Sequence, residues 1–76
     1  MSTVATAAVI GEELAVEGYA LAGCVLLPGD NPDEVNSAWQ ALPPDTVLLI
    51  LTDSAASWLA ERLAQRPDIM TAVMAP

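Results

Sequence analysis

The run Thr46-Val47-Leu48-Leu49-Ile50-Leu51-Thr52 constrains this chain more than any other stretch. Its five interior residues are apolar without alternation, whereas a strand with one wet face shows a polar residue at every second position. The run is too short for a helix and is bounded by turn and cap chemistry, Pro43-Pro44-Asp45 before it and Asp53-Ser54 after it. It therefore reads as a strand covered on both sides. Buried strands of this kind belong mostly to parallel sheets with helices on both faces, so helix and strand should alternate along the rest of the chain.

That alternation is visible on both sides of the run. Val4 to Ile10 is a small-residue and β-branched run ending at Gly11, a first strand with a turn at its carboxyl end. A helix follows over Glu12 to Gly23, with Leu14, Gly18, Leu21 and Ala22 on one face, two acids in its first turn and Gly23 as its stop. Glycine inside a helix costs about 1 kcal/mol relative to alanine, and close approach to the sheet is the simplest reason for Gly18. Tyr19 beside it reads as half-buried with a wet hydroxyl. Cys24 to Leu27 is the second strand, closed by Pro28-Gly29.

Asn31 caps the next helix, which begins at Pro32. Glu34 is placed to reach back, and Val35, Ala38, Trp39 and Leu42 form one apolar stripe. Trp39 is thus a core residue rather than a ligand platform. After the central strand, Thr52 or Asp53 caps a third helix, Ser54 to Gln65, with Ala56, Leu59, Ala60, Leu63 and Ala64 as its expected buried stripe. Trp58 falls off that stripe and joins Ala55 and Arg62 on a different face. Two explanations suit it: partial cover by an arginine stem or a loop, or contact with a partner, since Trp and Arg are enriched at interface hot spots. Ile69 to Met74 completes the pattern as a fourth strand.

The expectation is one α/β domain over residues 1–76, a small doubly wound three-layer sandwich of the Rossmann-like or receiver-like kind. Right-handed crossovers give a four-stranded parallel sheet in the order 2-1-3-4, with the first and third strands central.

The segment Ala8-Val9-Ile10-Gly11-Glu12-Glu13, followed by Gly18-Tyr19-Ala20-Leu21-Ala22-Gly23, resembles the opening of the F-subunit family of the vacuolar-type and archaeal-type rotary ATPases. In that family a strand ends in a glycine followed by an acidic pair, and a glycine-aromatic step leads to a leucine-alanine-glycine helix end. The resemblance covers the chain from about residue 8 to its end, and the order of elements agrees with it.

Composition narrows the function. With 76 residues, 54% of them hydrophobic, the chain should fold around a packed core and not behave as an acidic disordered tail. Ten acids face two arginines, with no lysine and no histidine, and the net charge of −8 repels phosphate backbones and anionic lipid heads. Nucleic acid is not an expected partner. Without histidine there is no imidazole base, and without lysine there is no Schiff base or phosphate-loop cation. Gly11 and Gly23 lack the spacing of a phosphate loop. No catalytic residue and no cofactor is expected, and the chain does not read as an enzyme.

The one place for chemistry is the crevice beyond the carboxyl ends of the strands, at the switch in strand order. Glu12 and Glu13 after the first strand and Asp53 after the third would meet there. Three carboxylates at one rim are the makings of a magnesium site, and receiver domains place acids in these loops. Receivers also have a fifth strand with a lysine, and this chain has neither. Each acid sits at a helix N-terminus, where the helix dipole alone accounts for it.

The single Cys24 lies among apolar neighbours and reads as a reduced core thiol, which implies a cytoplasmic setting. The longest apolar or glycine run, Tyr19 to Leu27, falls short of the ~20 residues of a membrane span, so any membrane association is indirect.

The resemblance to the F-subunit family implies a noncatalytic rotor component, part of the central stalk of a rotary ATPase or ATP synthase. Its chief partner would be the elongated D-subunit of the stalk, in a complex that couples ATP turnover to proton or sodium transport. Family members usually continue past the fourth strand into a C-terminal helix, and this sequence stops at Pro76. The expectation is that the globular part alone docks to the stalk, with Ala55, Trp58 and Arg62 as contacts. A freestanding interaction or receiver-like regulatory domain is the alternative. Exposed edges on a four-stranded sheet also allow a homodimer of the isolated chain.

Overall fold

The computed structural model describes residues 6–18 and 24–74. The chain runs β1 (Thr6–Gly11), α1 (Glu13–Glu17), β2 (Val25–Pro28), α2 (Pro32–Gln40), β3 (Thr46–Leu51), α3 (Asp53–Trp58), α4 (Ala60–Ala64) and β4 (Met70–Val73). The four strands form one parallel sheet in the order β2-β1-β3-β4, so the two middle strands are the first and third, as the alternation predicts.

β1 is the axis of the core. Ala8, Val9 and Ile10 have no solvent exposure, which requires cover on both of its faces. Ala8 and Ile10 join Leu49 and Leu51 of β3, Val35 and Ala38 of α2, and Ala55 and Leu59 at α3 in one apolar cluster. Val9 alternates to the opposite face, where α1 lies against β1 and β2 and buries Val16. Each of the large side chains so enclosed contributes about 1.5–3 kcal/mol.

The central run divides unevenly between the two faces. Leu49 and Leu51 are fully buried on the α2 and α3 side, while Leu48 and Ile50 are half-buried on the side of α1. Val47 departs from the expectation and is 48% exposed. The β1–β3 register explains it: Thr6 pairs with Thr46 but Ala7 pairs with Leu48, so Val47 has no opposite number. An extra residue on one strand is a bulge, and a bulge turns its side chain out of the alternation. Thr6 fixes this irregular entry by donating its hydroxyl to Asp45 Oδ2 at 2.7 Å, and Thr46 does so by donating to the Pro43 carbonyl at 2.7 Å.

α2 starts where the sequence places it. Asn31 Oδ1 accepts from the Glu34 N–H at 2.9 Å. Glu34 reaches back to the Asp30 N–H at 2.8 Å, one residue earlier than a capping box has it. Val35 and Ala38 are buried, and Trp39 and Leu42 are half-buried and pack against the core cluster from its margin.

The third helix differs from its expected form. Its backbone departs from helical geometry at Leu59, with φ −103° and ψ 8°, and α3 and α4 are the two segments on either side. The Leu59 N–H still donates to Ala55 and the Leu63 N–H to Leu59, so the two segments are one bent helix. Its buried arc runs through Ala55, Leu59 and Leu63, with Ala56 beside it, while Ala60 and Ala64 are exposed. The arc is rotated toward Ala55 because the Thr52 cap and the sheet below it set the helix phase.

Gly18 also differs from its expected place. It stands at the C-cap of α1 with φ −63°, is exposed, and among the described residues a Cβ there would meet nothing closer than the Ala15 carbonyl at 3.6 Å. Close approach to the sheet is therefore not its reason. Val4 of the first strand, and Tyr19, Ala20, Leu21, Ala22 and Gly23, lie outside the described residues.

Candidate functional site

The carboxyl ends of β1 and β3 meet at the switch in strand order, where an open sheet of this type offers a crevice. Here two turns of the chain meet through Thr52. Thr52, the residue after β3, is only 6% exposed. Its hydroxyl donates to Glu12 Oε1 at 3.0 Å and accepts from the Ala55 N–H at 3.3 Å. One side chain thereby caps α3 and ties the β3–α3 turn to the β1–α1 turn.

Gly11 makes room for that contact. A Cβ built on it would collide with Cγ2 of Thr52 and lie 2.7 Å from its Oγ1. The Gly11 carbonyl accepts from the Gly29 N–H at 2.8 Å, which draws the β2–α2 turn to the same place. Gly29 is a second point of close approach, since a Cβ there would sit 2.9 Å from the Val35 backbone nitrogen. Glu13 donates its N–H to Asp30 Oδ1 at 3.3 Å. The three turns at this end of the sheet are thus laced together.

The acidic rim takes a different form from a metal centre. Glu12 is engaged by Thr52, and Glu13 and Asp53 are exposed in the first turns of α1 and α3. Among the described residues no three acidic side chains are grouped for a metal ion.

On the bent third helix, Trp58 is 40% exposed and Arg62 is exposed, as their place off the apolar stripe predicts. Ala55, expected beside them, is fully buried, so it is not available to a partner. Its position in the first turn, directly over the sheet, outweighs its angular closeness to Arg62.

An open groove of about 410 Å³ runs between the β2 edge and α2. Leu27, Pro28, Ala38 and Ala41 form its apolar floor and Asp33 and Ser37 stand at its rim. It lacks the convergent buried polar groups that orient a small ligand. The packing of α2 on β2 alone creates it, and no local sequence pattern announces it.

An exposed ion pair lies between α4 and β4. Arg66 Nη2 is 2.8 Å from Asp68 Oδ2, and the hydrogen bonds from Arg66 hold the Asp68 carboxyl below its ordinary value. Cys24 is half-buried with a free thiol. No helix among the described residues is long and apolar enough to cross a membrane. Comparison of the sequence with models of known protein families and with curated proteins gave no match.

Proposed function

We propose that this domain is a noncatalytic docking component, and specifically a counterpart of the F-subunit in the central stalk of a vacuolar- or archaeal-type rotary ATPase or ATP synthase. The observation that supports the noncatalytic part is the tie between the two turns at the switch in strand order, where Glu12 is engaged by Thr52 and, among the described residues, no three acids are grouped for a metal ion. In this reading the domain acts through its outer surface. The stalk assignment is supported by the resemblance of residues 8–13, whose glycine and acidic pair form that turn.

In this reading the chain sits on the cytoplasmic side, peripheral to the membrane, and the energy conversion belongs to the assembly. Its partner is the elongated D-subunit of the stalk, with Trp58 and Arg62 as contacts and with no role for Ala55. A second reading is a freestanding acidic interaction or receiver-like regulatory domain. The two are separated by a pull-down of the full chain with the elongated stalk protein of the same organism. Recovery of a complex supports the stalk role, and failure to recover one with the folded wild-type protein supports the freestanding domain. Genes for other ATPase components next to this one would support the first reading, and an unrelated operon the second.

A further inference from the structure

We propose that β4 is the interface of a homodimer in which the β4 edges of two copies pair antiparallel across a two-fold axis through Ala72. The inference does not rest on the stalk reading.

The backbone determines how such an edge can pair. Met74 donates its N–H to the Leu51 carbonyl at 2.7 Å, and Leu51 stands in register with Val73. In a parallel ladder that pattern means that residues 70, 72 and 74 turn their amide groups toward β3. Thr71 and Val73 therefore turn their N–H and C=O groups to the open side. Two copies can exchange these bonds only where outward residues meet. That condition sets Thr71 opposite Val73 of the second copy, Ala72 opposite itself, and Met70 opposite Met74. A small residue lies on the axis, where side chains of a pair outside the hydrogen-bonded rings come closest.

The side chains agree with that pairing. All four residues of β4 are exposed, Met70 at 71% and Val73 at 54%, and none is charged. Free-standing edges are normally guarded by charge, proline or a bulge. The opposite edge carries such a guard within the strand, Pro28 at the end of β2. Within Met70–Val73 β4 has neither charge nor proline; Pro67 and Asp68 precede it and Pro76 follows it.

Charge selects the occupant. Although the chain carries a net −8, the acid nearest to β4 in sequence, Asp68, is paired with Arg66. A basic partner finds no free carboxylate in this strand and an acidic partner no cation. A second copy presents the same uncharged edge. Pairing consumes the open edge of both copies, so the assembly closes at two.

Sedimentation equilibrium of the full chain over a concentration series tests this, with circular dichroism to verify folding. The wild type is expected to show a monomer–dimer equilibrium. Ala72→Glu sets two carboxylates face to face on the axis, and Thr71→Pro removes an outward donor without touching the ladder to β3. Each should raise the dissociation constant about tenfold or more. If Thr71→Pro does not fold, Ala72→Glu, at an exposed side chain, carries the test alone. A wild-type monomer at every concentration, a dimer indifferent to the folded variants, or assembly beyond two copies would overturn the proposal.

Discussion

The hydroxyl of Thr52 donates to Glu12 Oε1 at 3.0 Å, joining two turns that lie 40 residues apart in the chain. The same oxygen accepts the Ala55 N–H at the start of α3, so a single hydroxyl ties the two turns together and caps a helix. Thr52→Val keeps the shape and removes both bonds. It should cost about 1–2 kcal/mol of unfolding free energy, and Thr52→Ser should retain most of that stability. Urea denaturation of the two variants beside the wild type measures the difference.

Gly11 depends on the same residue. Gly11→Ala drives a methyl into the Thr52 side chain and should cost about 1–3 kcal/mol. The loss should shrink in a background of Thr52→Ala, which removes Oγ1 and Cγ2, so the double variant should be more stable than the sum of the singles predicts. Strict additivity in a urea-monitored cycle would show that the two residues do not meet.

At the other turn, Asn31 Oδ1 holds the Glu34 N–H at 2.9 Å. Asn31→Ala should lower stability by about 1 kcal/mol, while Asn31→Asp should be close to neutral. Chemical denaturation distinguishes them, and equal losses would mean that the side-chain cap contributes nothing.

Much of this architecture is legible in the sequence. Strands and helices alternate with clear punctuation, and a βαβ crossover has one hand, so the sheet order follows from the element order. Asn31, Pro32 and Thr52 mark helix starts because capping is local chemistry. What stays hidden depends on phase or register. Val47 is apolar in an apolar run, and only its missing partner in β1 shows why it faces out. Ala55 lies near Arg62 on a helical wheel, but it sits in the turn that presses on the sheet and Arg62 lies two turns further along. The acids Glu12, Glu13 and Asp53 fall where metal ligands would, and the bond from Thr52 to Glu12 spans 40 residues of chain, which the local capping pattern of Thr52 does not show.

The Arg66–Asp68 pair makes a pH-dependent prediction. Arg66 lowers the Asp68 pKa, chiefly by side-chain hydrogen bonding. Whatever stability the pair contributes is present above the ordinary aspartate range and lost as pH falls through the lowered value. Both groups are fully exposed, so the effect should appear in the titration of Asp68 far more than in unfolding. By NMR, the Asp68 midpoint should rise toward the ordinary value in Arg66→Ala, and an unmoved midpoint would show that the two side chains do not interact in solution.

The docking claim is tested most directly by isothermal titration calorimetry of the full chain against the purified elongated stalk protein, using the wild type and Trp58→Ala. The prediction is one-to-one binding by the wild type and, for a hot-spot tryptophan at 40% exposure, a dissociation constant about thirtyfold weaker in the variant. No heat of binding from the folded wild-type protein would contradict the stalk assignment, and equal affinities would remove Trp58 from the interface.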